Sequence, residues 1–148
     1  MNEHWANSFA DSLAATIAEI RPTLGNAPVS ILALDCHPWN GDIFLAILTL
    51  AEIQDDPEIA QTAEMAAWKN YDCGAGSAVW QQTRQLGLEL KSIYERVDDK
   101  AVATDECFGL CVASLKSDQV QAEIDNLVVA DDFRISCAHP DTELEYYG

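Results

Sequence analysis

Basic residues are scarce in this chain of 148 residues: 8 Lys and Arg stand against 25 Asp and Glu, for a net charge of −17. Phosphate backbones and anionic lipid surfaces repel such a protein. The composition therefore predicts no nucleic-acid partner and no membrane partner. Residues 1–68 and 117–148 together hold 18 acids and 2 bases. Two acidic outer segments of this kind favour a basic protein partner, although acidic surface also serves solubility alone.

Three other features are absent, and each excludes a class of protein. No uninterrupted apolar run approaches the roughly 20 residues of a membrane-spanning helix. The N-terminal sequence MNEHWANSF lacks the basic and apolar regions of a signal peptide. The five cysteines, at positions 36, 73, 107, 111 and 137, are odd in number and form no CxxC pair. These absences predict a cytoplasmic protein with free thiols.

Two apolar runs, VSILALD and DIFLAILTL, are the most prominent positive feature. Their apolar residues are consecutive rather than alternating, which is typical of strands covered on both faces. The intervening CHPWNG contains Asn40-Gly41, a pair that tolerates positive φ and closes tight reversals. We therefore predict a central hairpin that pairs Ser30–Asp35 with Ile43–Leu48.

The rest of the chain reads mainly as helix. Apolar spacing and capping residues predict helices over 3–21, 63–70, 77–97, 104–116 and 117–127, and the first should end before Pro22. Gly87 in the middle of a helix indicates a closely packed neighbour. Alternation over 132–138 predicts an edge strand beside the hairpin.

These elements predict a single α+β domain over residues 1–148. Its sheet is small, mainly antiparallel and built around the central hairpin, and about four to five helices cover it. Residues 138–148 form an acidic tail that we expect to be loosely held.

The hairpin loop concentrates candidate functional residues: Asp35, His37, Trp39 and Asp42 lie within eight positions. Symmetric pairing about the loop would place Asp35 opposite Asp42. Facing carboxylates are tolerated when they are solvated, bound to a cation, or when one stays protonated for acid–base work. Trp39 is either an exposed interface anchor or a cover folded back over the sheet and the first helix.

Cysteine and histidine also recur at the ends of the proposed strands, as Cys36-His37 and as Cys137 near His139. If they converged, they could bind zinc or form a Cys–His nucleophile pair. Adjacent residues of a strand point to opposite faces, however, and the spacing fits no zinc finger or ribbon. We therefore predict no metal, no cofactor and no catalytic residue.

Three functional hypotheses remain. The first is a non-enzymatic interaction protein, of the immunity or inhibitor kind, that binds a basic partner through its acidic segments and Trp39. The alternative is a small enzyme or a ligand- or metal-binding domain that uses Asp35, His37 and Asp42 at the hairpin mouth. The third is a homodimer formed through the sheet edge at 132–138.

Overall fold

A computed structural model describes residues 2–148, which form five α-helices, three β-strands and two short 3₁₀ helices. The α-helices are α1 (Asn2–Leu24), α2 (Leu50–Asp55), α3 (Gln82–Arg96), α4 (Lys100–Leu115) and α5 (Asp118–Asp125). The strands are β1 (Val29–His37), β2 (Asp42–Thr49) and β3 (Val129–Ser136), and the 3₁₀ helices are Pro57–Ala60 and Thr62–Ala67. The predicted α+β class is confirmed. None of the described helices combines the length and apolar character that crossing a membrane requires.

The predicted central hairpin is present. β1 and β2 pair antiparallel, and β1 is the middle strand of the order β2-β1-β3. Both faces of the hairpin are buried. One face, which includes Leu32, Leu34 and Leu45, packs into the main core, and the other packs under Met65 and Trp68. This two-sided burial explains why the apolar residues of the strands are consecutive.

β3 lies at the sheet edge beside β1, as predicted, but it runs parallel to β1, so the sheet is mixed. The path of the chain explains the direction. β2 ends where Thr49 pairs with Val29, and at the same end the backbone N–H of Val29 donates to the carbonyl of Val128 at 2.9 Å. The intervening helices therefore return the chain to the starting end of β1, from which β3 can only run parallel to it.

α1 extends three residues beyond the predicted end and includes Pro22. Because Pro22 lies in the last turn, its missing N–H removes one hydrogen bond without interrupting the helix. Gly25 then ends the helix in the left-handed region, with φ +57°, and its N–H donates to the carbonyl of Arg21.

The predicted start of two helices was wrong. α3 begins at Gln82 rather than Ser77, and α4 begins at Lys100 rather than Thr104. The carboxylate of Asp99 caps α4, because it accepts hydrogen bonds from the backbone N–H groups of Ala101 and Val102. Asp99, which follows the end of α3, thus serves the next helix, whose N-terminal dipole favours negative charge.

The hairpin loop docks on α3 through two glycines, as the position of Gly87 predicts. A Cβ atom added to Gly87 would overlap the carbonyl oxygen of Gly41. Gly41 itself has φ +78° in the turn. This close backbone contact fixes the hairpin end against the middle of α3.

Residues 138–148, which we expected to be loosely held, pack against the fold. The ring of Tyr146 stacks on Phe108 of α4 with centroids 4.7 Å apart. The Glu145 carboxylate accepts hydrogen bonds from the Ser136 hydroxyl and from the backbone N–H of Cys137, the latter at 2.7 Å. The prediction rested on the acidic residues of the tail and overlooked its aromatic residues, which anchor the tail to α4.

Candidate functional site

The carboxylate of Asp35 is the centre of a hydrogen-bonded group at the hairpin end. Asp35 and His37 share a face of β1 because residues two apart in a strand point the same way. Nε2 of His37 donates to one Asp35 oxygen at 2.9 Å, and the Tyr71 hydroxyl donates to the other at 2.7 Å. The side chains of Asp35 and His37 are 14% and 26% exposed. Both carboxylate oxygens therefore have a protein donor in a partly desolvated site.

These contacts shift the pKa values of the group. Burial alone would raise the pKa of Asp35, but the hydrogen bonds from His37 and Tyr71 outweigh it and hold that pKa below its usual value. The hydrogen bond to Asp35 raises the pKa of His37, and burial opposes the shift only in part. Burial and the bond to Asp35 raise the pKa of Tyr71. The geometry thus favours an ionised Asp35 beside a protonated His37.

The prediction that Asp35 and Asp42 face each other was wrong. Asp35 pairs with Phe44, and Asp42 pairs with His37. β1 runs to His37, so the loop has four residues, 38–41, rather than the six of CHPWNG. The backbone N–H of Gly41 closes it by donating to the carbonyl of His37 at 2.9 Å. The shorter loop shifts the register by two residues and relieves the expected repulsion between the carboxylates.

Trp39 is half-buried and lies among other aromatic rings. Its ring contacts His37, His139 and Tyr94, with centroid separations of 5.7, 5.4 and 6.2 Å. Tyr94 belongs to α3, so Trp39 covers that helix rather than the first one. The rings around Trp39 hold its side chain in one position at the hairpin end.

A small pocket of about 100 Å³, here called the hairpin-end pocket, opens beside the Asp35–His37 pair. Glu143 and His139 of the C-terminal segment form its opposite wall, with Thr62 of the second 3₁₀ helix. Its lining, all of it within the described residues, contains no Lys and no Arg. Acidic and imidazole groups thus meet here from two separate parts of the chain, β1 and the C-terminal segment.

Asp42 lies apart from this pocket. Its exposed side chain lines a second depression of about 310 Å³, the edge cleft, between β2, the loop around Asp72 and the start of α3. The three residues of the alternative hypothesis, Asp35, His37 and Asp42, therefore divide between two depressions. They do not form one site.

The cysteines lie on the other side of β1. Cys36 points into the core, where its Sγ lies 3.7 Å from Sγ of Cys111. The hydrogen bond with Cys111 favours the Cys36 thiolate, but burial and the neighbouring thiols outweigh it and raise the pKa of Cys36. His37 is on the opposite face, as the adjacency of the two residues predicts. Across residues 2–148, no group of three or more His, Cys, Asp or Glu side chains has an arrangement that could hold a metal ion.

Sequence reasoning found Asp35, His37, Trp39 and His139 but missed three residues that complete their surroundings: Tyr71, Glu143 and Tyr94. Period-two alternation could have placed Phe44 on the same face as His37, where their ring centroids lie 6.4 Å apart. Tyr71 and Glu143 come from loops and Tyr94 comes from α3, and no periodic pattern specifies which hairpin residue each of them contacts.

In comparisons with known proteins, no protein-family model, no curated protein and no solved structure matches this chain.

Proposed function

We propose that this protein is a non-enzymatic interaction protein, of the immunity or inhibitor kind, that binds a basic partner at its hairpin end. The observation that carries the proposal is the hairpin-end pocket, where Asp35, Glu143 and two histidines converge without a Lys or Arg in the described lining. A Lys or Arg side chain of a partner complements the Glu143 carboxylate in this lining, because Asp35 is already paired with His37 and Tyr71 and charge-assisted hydrogen bonds are stronger than neutral ones.

The charge of the whole chain supports the same partner. Within residues 2–148 only three ion pairs form: Arg21–Glu123, Lys91–Glu95 and His37–Asp35. Most of the 25 acidic side chains therefore have no basic neighbour within ion-pair distance. Unpaired surface charge of one sign attracts an oppositely charged protein over several ångströms and raises the rate of encounter.

Trp39 supplies an anchor beside the pocket. Its contacts with His37, His139 and Tyr94 hold the ring before any partner arrives. A side chain that is already ordered loses little conformational entropy on binding. Tryptophan is also enriched at interface hot spots and offers its face to Arg or Lys.

The proposal is tested by capturing the partner from an extract of the native host and measuring its affinity by titration calorimetry. We expect a basic protein whose binding weakens steeply between low and high salt. Trp39→Ala and Glu143→Gln should each weaken binding by about tenfold or more. Asp125→Asn is the matched control, because Asp125 ends α5 three residues before Val128, whose carbonyl accepts from the Val29 N–H at the end of β1 opposite the hairpin.

Asp125→Asn should bind the partner with an affinity within about twofold of that of the unaltered protein, since an exposed charge outside the interface contributes little to affinity. A partner that is acidic, or binding that is insensitive to salt, would overturn the proposal. Equal affinities for Trp39→Ala, Glu143→Gln and the unaltered protein would overturn the assignment of the hairpin end.

A further inference from the structure

The edge cleft carries groups of both charges on its walls. Asp42 of β2 and Asp72 of the following loop contribute two carboxylates, and Arg84 of α3 contributes a guanidinium. Within the described residues none of these three side chains takes part in an ion pair. Trp80 and Phe44 add apolar surface. A ligand that pairs with all of these groups carries a positive group, a negative group and an apolar part.

The backbone of β2 adds a donor and an acceptor to the same cleft. The outer edge of β2 is paired further along, where the carbonyl of Leu45 accepts from Cys73 N–H at 2.9 Å and Ile47 N–H donates to the carbonyl of Asn70 at 3.2 Å. Alternate residues of a strand direct their backbone groups to the same side. The N–H and C=O of Ile43, which lines the cleft, therefore face this open stretch of the edge.

Thr83 provides an independent sign of a missing partner. The residue is 3% exposed and lies on the wall of the cleft, and its hydroxyl oxygen is buried without a hydrogen-bond partner. Buried hydroxyls are nearly always hydrogen-bonded, because an unsatisfied one has lost its hydration without any replacement. Because the oxygen itself has almost no accessible surface, a ligand in the cleft becomes its partner when the Thr83 side chain rotates toward the cleft.

The conformation of Asp72 is also unusual. Its φ of +51° lies in the left-handed region, which non-glycine residues adopt rarely and which is often found at functional sites. Burial raises the pKa of the Asp72 carboxyl, so the carboxylate gains more from a cationic neighbour than a fully hydrated one would. Both properties are what a binding carboxylate held in place by its loop would show.

We propose that the edge cleft binds a small zwitterion of the α-amino acid class. Its ammonium group pairs with Asp42 and Asp72, its carboxylate pairs with Arg84, and its side chain lies against Trp80 and Phe44. The cleft volume of about 310 Å³ is at the small end of ligand sites, which suits a molecule of this size. This site is separate from the hairpin-end pocket, so the proposal does not depend on the proposed partner.

The test uses three probes that differ in one charge each: L-phenylalanine, N-acetyl-L-phenylalanine, which lacks the ammonium, and L-phenylalaninamide, which lacks the carboxylate. Binding to the full chain is followed by amide chemical-shift changes. We expect L-phenylalanine to bind at least about tenfold more tightly than either analogue, because each loses charge-assisted hydrogen bonds. The shifts should concentrate at residues 42–44, 72–75 and 80–84.

Variants then assign each charge to its residue. Arg84→Gln should remove the preference for L-phenylalanine over its amide but keep the preference over the N-acetyl form. Asp42→Asn with Asp72→Asn should do the reverse, and Asn tolerates the left-handed conformation at position 72. Thr83→Val should unfold at the same or a higher temperature and yet bind L-phenylalanine several-fold more weakly.

Equal affinities for the three probes, shifts elsewhere in the protein, or no binding up to the solubility of L-phenylalanine would overturn the proposal. So would unchanged preferences in Arg84→Gln and in the double aspartate variant. Unchanged binding by Thr83→Val would overturn the role of the hydroxyl. The melting temperature of each variant, measured without ligand, separates loss of binding from loss of the fold.

Discussion

Among single residues, Asp35 carries the most constrained charge in the hairpin. Its two oxygens accept from His37 and Tyr71, which come from strand β1 and from a loop beyond β2. A hydrogen bond to a charged group contributes about 1.5–3 kcal/mol, more than one between neutral groups. The group therefore ties the loop that carries Tyr71 to the hairpin and depends on the charges of both partners.

The first prediction concerns pH. The raised pKa of His37 means that its contribution to stability is fully present below its unfolded pKa of about 6.5 and is lost as the pH rises through the folded value. The lowered pKa of Asp35 means that its contribution is lost only as the pH falls below about 3.8. His37→Gln should therefore lose about 1 kcal/mol more, relative to the unaltered protein, at pH 5.5 than at pH 9. Urea unfolding at both pH values measures the difference.

Tyr71→Phe is the control for this measurement. It removes one hydrogen bond to Asp35, but the raised pKa of Tyr71 keeps its hydroxyl protonated at both pH values. Its cost should therefore be nearly the same at pH 5.5 and pH 9. If His37→Gln and Tyr71→Phe showed the same pH dependence, a charged Asp35–His37 pair would not be the source.

Some residues of the site could be identified from the sequence and others could not. Asp35 and His37 were identifiable because both interrupt an apolar strand on the same face. The residue that pairs with Asp42 depends on the length of the loop. The sequence CHPWNG predicted a loop of six residues, whereas the loop has four, Pro38 to Gly41. Tyr71 comes from a non-periodic loop, so only tertiary packing determines which carboxylate it reaches.

Among elements, the contact between the hairpin loop and α3 is the tightest constraint. Gly87 allows the helix backbone to approach the Gly41 carbonyl closely. Helix propensity alone favours Ala over Gly by about 1 kcal/mol, so the glycine costs helix stability to permit docking. The same contact positions Trp39 against Tyr94 of α3.

Gly87→Ala should therefore destabilise the protein, despite its better helix propensity. The added Cβ would push the loop from the helix, and overpacking of this kind costs about 1–3 kcal/mol. Gly109→Ala in α4 is the matched control, because nothing lies within 4 Å of the Cβ it would add. It should gain about 0.5–1 kcal/mol. The urea midpoints of the two variants measure these changes. If Gly87→Ala were as stable as Gly109→Ala, close docking of the hairpin loop at Gly87 would not contribute to stability.

The elements were predictable to the extent that their faces are buried. Consecutive apolar residues predicted β1 and β2, and Gly87 in the middle of a helix predicted a closely packed neighbour. The direction of β3 did not follow, because it depends on how four helices return the chain to the start of β1. A homodimer through the β3 edge stays a prediction, and the exposed Asp131 and Asp132 on that strand oppose it.

At the scale of the whole molecule, the excess of negative charge opposes the folded state. The net charge is −17, and the three ion pairs within residues 2–148 neutralise little of it. Folding brings carboxylates closer together than they are in the unfolded chain, and the repulsion is greatest at low ionic strength. The excess of negative charge is evident from composition alone. Which acidic residues line a pocket is determined by the tertiary structure.

We therefore expect the free energy of unfolding at pH 7 to rise with salt, by about 1 kcal/mol between roughly 10 and 300 mM NaCl. The matched control neutralises four exposed acids that make no side-chain hydrogen bond in the described structure: Asp11, Asp55, Glu64 and Asp125, replaced by Asn or Gln. This variant should be more stable at low salt and should respond less to added salt, because less repulsion remains to be screened. A salt response equal in both proteins, or stability that falls with salt, would mean that attractive pairs rather than net repulsion dominate the electrostatics of this fold.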